Sequence, residues 1–150
     1  MSQQGDSKDV VAAPERVREV EGFLARFSEW ASHRVDIAGL LLVGSYARNA
    51  ARPDSDVDVI LLTTEETRYL NDDAWAAELG LGDLVRAQSF GAITERRHVT
   101  QSGLEVEVGI GSPTWAATAP VDPGTRQVIT DGACILHDPT GLLKSLVAAC

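Results

Sequence analysis

Apolar residues Val17, Val20, Phe23, Leu24, Phe27, Trp30 and Ala31 recur at steps of three and four. That spacing predicts one amphipathic helix, and Pro14 can open it within its first turn. The period then shortens. Val35, Ile37 and the run from Leu40 to Val43 read as a strand that ends at Gly44, although Gly39 interrupts it. A short helix is expected from Ser45, whose hydroxyl can cap it. A loop over 49–54 carries Pro53, and a second strand is expected over 56–62.

Further along, Tyr69, Leu70, Trp75, Ala76 and Leu79 form the apolar set of a helix predicted over 65–79, with Gly80 past its end. Residues 84–100 and 104–110 read as two extended segments joined by Gln101-Ser102-Gly103, a hairpin with glycine in its turn. The stretch 112–123 is expected to be irregular around Trp115. Val128 and Ile129 lead to an Asp131-Gly132 turn, then a short strand over 134–136. Asp138-Pro139 supplies an N-cap and a first-turn proline for a last helix over 142–149. Residues 1–12 are small and polar and are expected to be a disordered tail, leaving 13–150 as one domain. Helices and strands mixed around a hairpin indicate an α/β or α+β fold.

Composition narrows the function. A chain of 150 residues that is 44% hydrophobic and 23% charged has the make-up of a globular domain able to bury a core. The net charge of -9 argues against a broad grip on nucleic acid, which needs clustered lysine and arginine. No apolar run approaches a membrane span, and MSQQGDSKDV lacks a signal-peptide core. Two cysteines, Cys134 and Cys150, form no CxxC pair, so a reduced, cytoplasmic setting is expected.

The chemistry gathers at "LLVGSYARNAARPDSDVDVILL", residues 41–62. Alternation along a strand puts Asp56 and Asp58 on one face and Val57, Val59 and Leu61 on the other. Their Cα atoms then lie about 6.5–7 Å apart, close enough for both carboxylates to converge on one or two hard cations such as Mg²⁺. Upstream, Gly44 and Ser45 can offer backbone N–H groups and a hydroxyl to a phosphate. Phosphoryl transfer also wants a carboxylate from a neighbouring strand to act on the acceptor hydroxyl. "GLEVEVGI" supplies Glu105 and Glu107 on one face, opposite Leu104, Val106 and Val108. Either set of acids could instead be a solvated strand face.

Gly44-Ser45-Tyr46-Ala47-Arg48, a loop, then Ser55-Asp56-Val57-Asp58-Val59 resembles the signature of the DNA polymerase beta-like nucleotidyltransferase superfamily. The resemblance implies a mixed β-sheet flanked by helices, the polymerase beta palm-like fold. It implies a nucleoside triphosphate such as ATP, bound with one or two Mg²⁺ ions, as substrate. Gly44, Ser45, Arg48 and Ser55 would contact the nucleotide. Asp56, Asp58 and Glu107 would be the catalytic, metal-holding acids, with Glu105 as the alternative third. Two residues depart from the family pattern: Asn49 stands where glycine is usual, and the third acid is Glu rather than Asp. Asn tolerates the left-handed conformation that such a turn requires.

The implied activity is transfer of a nucleoside monophosphate to a hydroxyl, with release of pyrophosphate. The acceptor could be a small molecule such as an aminoglycoside, or a protein side chain. The alternatives are an antitoxin-like module that binds or modifies a helical partner protein, a homodimer, or a nucleotide-binding module without turnover. An exposed apolar patch at Tyr69, Trp75 or Trp115 would point to a partner. Arg96, Arg97 and His98 could bring positive charge to the cleft or decorate an exposed edge. Trp30 and Trp75 are expected to pack in the core or at a helix edge, and His33 and His137 to be structural.

Overall fold

The computed structural model describes residues 11–150. Helix α1 (Pro14–Ser32) carries the apolar stripe, with Pro14 in its first turn as expected. The strands are β1 (Ile37–Val43), β2 (Val57–Thr63), β3 (Asp83–Phe90), β4 (Ile93–Val99), β5 (Glu105–Gly111) and β6 (Ala133–His137). They form one sheet in the order β3-β4-β5-β2-β1-β6. Only β2 and β5 pair in parallel; the other four pairings are antiparallel. The fold is therefore α+β with a mixed sheet, as the sequence implied.

The alternation of apolar residues divides the core between the two faces of the sheet. Val57, Val59, Leu61, Val106, Val108 and Ile110 face α1, α2 (Glu66–Asn71) and α3 (Ala74–Glu78), packing on Phe23, Phe27, Tyr69 and Trp75. Leu41, Ile60, Leu62 and Ile93 face the other way, toward α4 (Pro123–Thr130), α5 (Leu142–Ala149) and a 3-10 turn at Pro113–Ala116. Ile37 reaches the first face along with Leu40 and Leu42 because the register of β1 shifts between Ile37 and Gly39. Among the described residues no helix is long and apolar enough to cross a membrane.

Four expectations change. The helix predicted over 65–79 breaks at Asp72, which is extended (φ -139°, ψ 131°) and whose carboxylate accepts from Ala74 N–H at 2.9 Å. The carbonyls freed by the break are bonded by side chains: Trp75 Nε1 donates to Tyr69 O and Arg96 Nη1 to Leu70 O, both at 3.0 Å. Residues 84–100 are two strands, turned back at Gly91 (φ +60°), with Phe90 paired to Ile93. The segment before Asp131 is α4, opened by Asp122, whose carboxylate accepts from Gly124 and Thr125 N–H. The short helix expected from Ser45 is a run of turns over 45–49 that ends at Asn49 (φ 56°). The left-handed asparagine is the one this position was expected to tolerate.

Residues 1–10 of the expected tail lie outside the described residues; Ala12 is buried, and its N–H donates to Ala51 O at 3.1 Å. One further detail changes at the far end. The N-cap of α5 is Gly141 (φ 80°) rather than Asp138, and Pro139 lies ahead of the helix instead of in its first turn. Asp138 reaches across to accept from Leu143 and Lys144 N–H, each at 2.9 Å.

Candidate active site

Parallel pairing of β2 and β5 sets Asp58 directly opposite Glu107. Both side chains lie on the face away from Val57, Val59, Val106 and Val108, as alternation requires. Asp56, one residue ahead of β2, joins them. Carboxylate oxygens of Asp56, Asp58 and Glu107 lie within 4.8 Å of one another, each half-buried. Three hard oxygen donors at this separation suit a small divalent cation. The same closeness is costly to the protein alone. Burial, then the charges of Asp56 and Glu107, push the Asp58 carboxyl up to about 7 from 3.8, against the pull of Arg97. A cation bound among the three would reverse that cost.

Gly44 ends β1 beside the cluster, since Val43 pairs with Asp58. Its φ is +76°, and a Cβ there would collide with the Asp58 carboxylate. Glycine is thus required twice, for the turn and for the close approach. Ser45 opens the turns and is half-buried, its carbonyl accepting from Ala50 N–H at 2.9 Å. Ser55 closes the loop before Asp56: its hydroxyl accepts from Arg52 N–H at 2.8 Å and its N–H donates to Arg52 O at 3.0 Å. Arg48 is exposed and lays its aliphatic stem over Gly132, in the turn between α4 and β6.

Of the three basic residues on β4, only Arg97 reaches the acids. Its Nη2 lies 2.8 Å from both Asp56 Oδ2 and Glu107 Oε2, and its Nη1 2.7 Å from Glu105 Oε1. Burial disfavours its charge, but Glu105, Glu107 and Asp56 outweigh that and raise its pKa further. Arg86 on β3 adds a longer contact, Nη2 to Glu107 Oε2 at 3.1 Å. Arg96 and His98 alternate to the other face and are buried there, Arg96 on Leu70 O and Asp73, His98 against Trp75. Glu105 shares the face of Glu107 but is exposed and, among the described residues, bound through Arg97, so the structure groups Glu107 with the aspartates.

Sequence reasoning missed Glu95. It sits two residues before Arg97 on the same face, its carboxyl raised by burial and by Glu107. It helps line a cavity of about 490 Å³ with Ile60, Phe90, Trp115 and Val128. Its strand was not separable from β3 in the sequence, so its face could not be assigned. Trp115 is only partly buried, packing on the second core while lining that cavity. Tyr69 and Trp75 are buried and form no exposed patch; the exposed apolar side chains Leu84, Val85 and Phe90 lie on β3.

A model of the nucleotidyltransferase domain matches residues 23–112, more than half of the chain. No curated protein sequence matches. Solved structures with the same fold include a cytoplasmic RNA terminal U-transferase, at 16% identity and a TM-score of 0.52 over 69% of this chain and 32% of that one. The polymerase core of TRAMP, an RNA surveillance complex, aligns at 19% identity and 0.50 over 67% of this chain and 33% of that one. The Cid1 poly(U) polymerase aligns at 13% and 0.51 over 69% and 33%. The chain spans about a third of the length of these structural relatives.

Proposed function

The chain belongs to the nucleotidyltransferase domain family, and from that premise we propose that it transfers a nucleoside monophosphate from a nucleoside triphosphate to a hydroxyl. The observation that carries this reading is the convergence of Asp56, Asp58 and Glu107 beside the Gly44-Ser45 turn. The three carboxylates would hold Mg²⁺, which when bound supplies positive charge against the triphosphate and its leaving group. The Gly44-Ser45 backbone and the Ser45 hydroxyl would bind phosphate oxygens, and Ser55, by closing its loop, aims Asp56 at the cluster. Glu107 would take the proton of the acceptor hydroxyl as its oxygen attacks the α-phosphorus. The α–β phosphoanhydride bond then breaks and pyrophosphate departs. Glu is one methylene longer than the usual Asp, and its place opposite Asp58 in the ladder gives it a short reach to the same point.

The acceptor class follows from what can enter from the open side of this face. The cavity beside Glu95 can take a small hydroxylated molecule or a protein side chain. The test is pyrophosphate release from each of the four nucleoside triphosphates with Mg²⁺, across acceptor panels of both kinds. Release that needs an acceptor and vanishes in Asp56→Asn and Asp58→Asn supports the reading. Absence of both nucleotide binding and turnover would remove it.

A second reading, a module that engages a helical partner protein or a second copy, is favoured by β3. All eight of its residues are exposed, with Leu84, Val85 and Phe90 uncovered at the sheet edge. Light scattering at rising concentration, alone and with the partner, tests it. Strict monomers that bind no partner would set it aside.

A further inference from the structure

We propose, on the reading that Asp56, Asp58 and Glu107 hold a divalent ion, that Arg97 is the resident counter-ion of that site and competes with the metal for it. The guanidinium does not merely lie nearby. One nitrogen, Nη2, is within 2.8 Å of oxygens from two of the three expected ligands, Asp56 and Glu107. Both carboxylates belong to the three-acid cluster, and carboxylate lone pairs aimed at an arginine are not free for a metal. Arg97 thus does in the metal-free protein what the ion does in the loaded one: it offsets three converging negative charges.

Its placement is fixed by the fold. Arg97 is paired with Glu107 across β4 and β5, so the backbone keeps the guanidinium stem over the cluster. The head is less firmly held. Its Nε is buried without a hydrogen-bond partner among the described residues, so withdrawal forfeits no bond there. The side chain keeps 21% exposure, giving it a route outward. The third carboxylate it touches, Glu105, lies outside the ligand set and is half exposed. When the metal takes Asp56 and Glu107, Arg97 retains Glu105 and swings to the rim, where the oxygens of an arriving triphosphate can bind it. Metal alone is therefore resisted, whereas metal with a triphosphate is admitted, because the triphosphate gives the displaced arginine a new anion.

Arg86 provides a charge-matched control. It also contacts Glu107, but at 3.1 Å, from an exposed edge strand and with none of the aspartates in reach of an ion pair. Replacing either arginine with glutamine removes one positive charge, yet Arg97→Gln clears oxygens of both Asp56 and Glu107, whereas Arg86→Gln leaves Arg97 seated on them. Titration of Mn²⁺ without nucleotide, followed by the electron paramagnetic resonance of free Mn²⁺, should show weak binding by the wild type. Arg97→Gln should tighten it by about 10-fold or more, and Arg86→Gln by less than about 3-fold. Equal gains in the two variants, or no gain in Arg97→Gln, would overturn competition while leaving the metal site intact. Absence of Mn²⁺ binding in every form, with and without a non-hydrolysable triphosphate, would remove the metal site and this inference together. A second measurement needs no mutation: in arginine-selective NMR of the wild type, the Arg97 side-chain resonances should shift as Mg²⁺ is added with the triphosphate analogue. Resonances that stay in place while the metal binds would equally overturn it.

Discussion

Asp36, just ahead of β1, and Asp58, one strand over on β2, are both carboxylates withdrawn from water, but they are surrounded by different chemistry. Asp36 is 6% exposed and meets donors: Tyr69 Oη at 2.6 Å, Thr63 Oγ1 at 2.9 Å and, at longer range, Arg68 Nη1 at 3.5 Å. Burial by itself would raise its pKa, yet the hydrogen bonds from Tyr69 and Thr63 bring the carboxyl below its ordinary value. Asp58 meets acceptors. Burial and two more carboxylates drive it up to about 7. An acid ringed by hydroxyls is finished by folding and ties β1, β2 and α2 together. An acid ringed by acids is left incomplete by folding and calls for a cation from outside. Burial does not separate a structural acid from a candidate catalytic one; the identity of its neighbours does.

The largest effect that would sharpen this contrast is kinetic. Glu107→Gln should lower the rate of nucleotidyl transfer by about 100-fold or more, with no loss of melting temperature, because it removes a base and a like charge at once. Asp36→Ala should do the reverse. It strands the Tyr69 and Thr63 hydroxyls and should cost about 2–4 kcal/mol of stability, lowering Tm by roughly 5–15 °C, while transfer by the folded fraction is unchanged.

A smaller effect should depend on pH. The unfolded chain releases the Asp58 proton near 3.8, whereas the folded, metal-free protein keeps it to about 7. Stability therefore falls as pH rises between those values, and the cost is complete above the upper one. Asp58→Asn should then stabilise the metal-free protein by about 1–3 kcal/mol more at pH 8 than at pH 5, as chemical denaturation at the two pH values can show. Asp36 has the opposite sign: its contribution is present above 3.8 and fades as pH drops through its lowered folded value. The smallest expected change is Thr63→Val, which removes one of Asp36's donors and should cost about 1–2 kcal/mol in the same assay.

Much of the candidate site was legible in the sequence because strand alternation is a strict rule. Asp56 and Asp58 had to share a face, Glu105 and Glu107 had to share one, and the valines between them had to fill the core. Which strands would lie side by side was not legible in the residue pattern; only the family resemblance implied that the Glu107 strand neighbours the aspartate strand. The parallel β2–β5 pairing that brings Asp58 to Glu107 joins residues 49 positions apart (107 − 58), and no local pattern records it. Nor was Arg97 distinguishable from Arg96 and His98, because the run 84–100 reads as one extended segment until Gly91 is seen to turn it. Helix α4 was missed although Asp122-Pro123 repeats the Asp138-Pro139 signal that located α5. The apolar positions after it, Val128 and Ile129, were too few to show a helical period. Asp36 gave no sign because its partners come from β2 and α2, and a lone aspartate before a strand looks like an ordinary solvated residue.

The most direct measurement of the central claim is the anomalous scattering of manganese in crystals grown with Mn²⁺ and a non-hydrolysable nucleoside triphosphate. The account predicts a peak at coordination distance, roughly 2.1–2.2 Å, from oxygens of Asp56, Asp58 and Glu107, with the triphosphate against Gly44 and Ser45. A triphosphate bound with manganese elsewhere, or with Arg97 still seated among those three carboxylates, would contradict it.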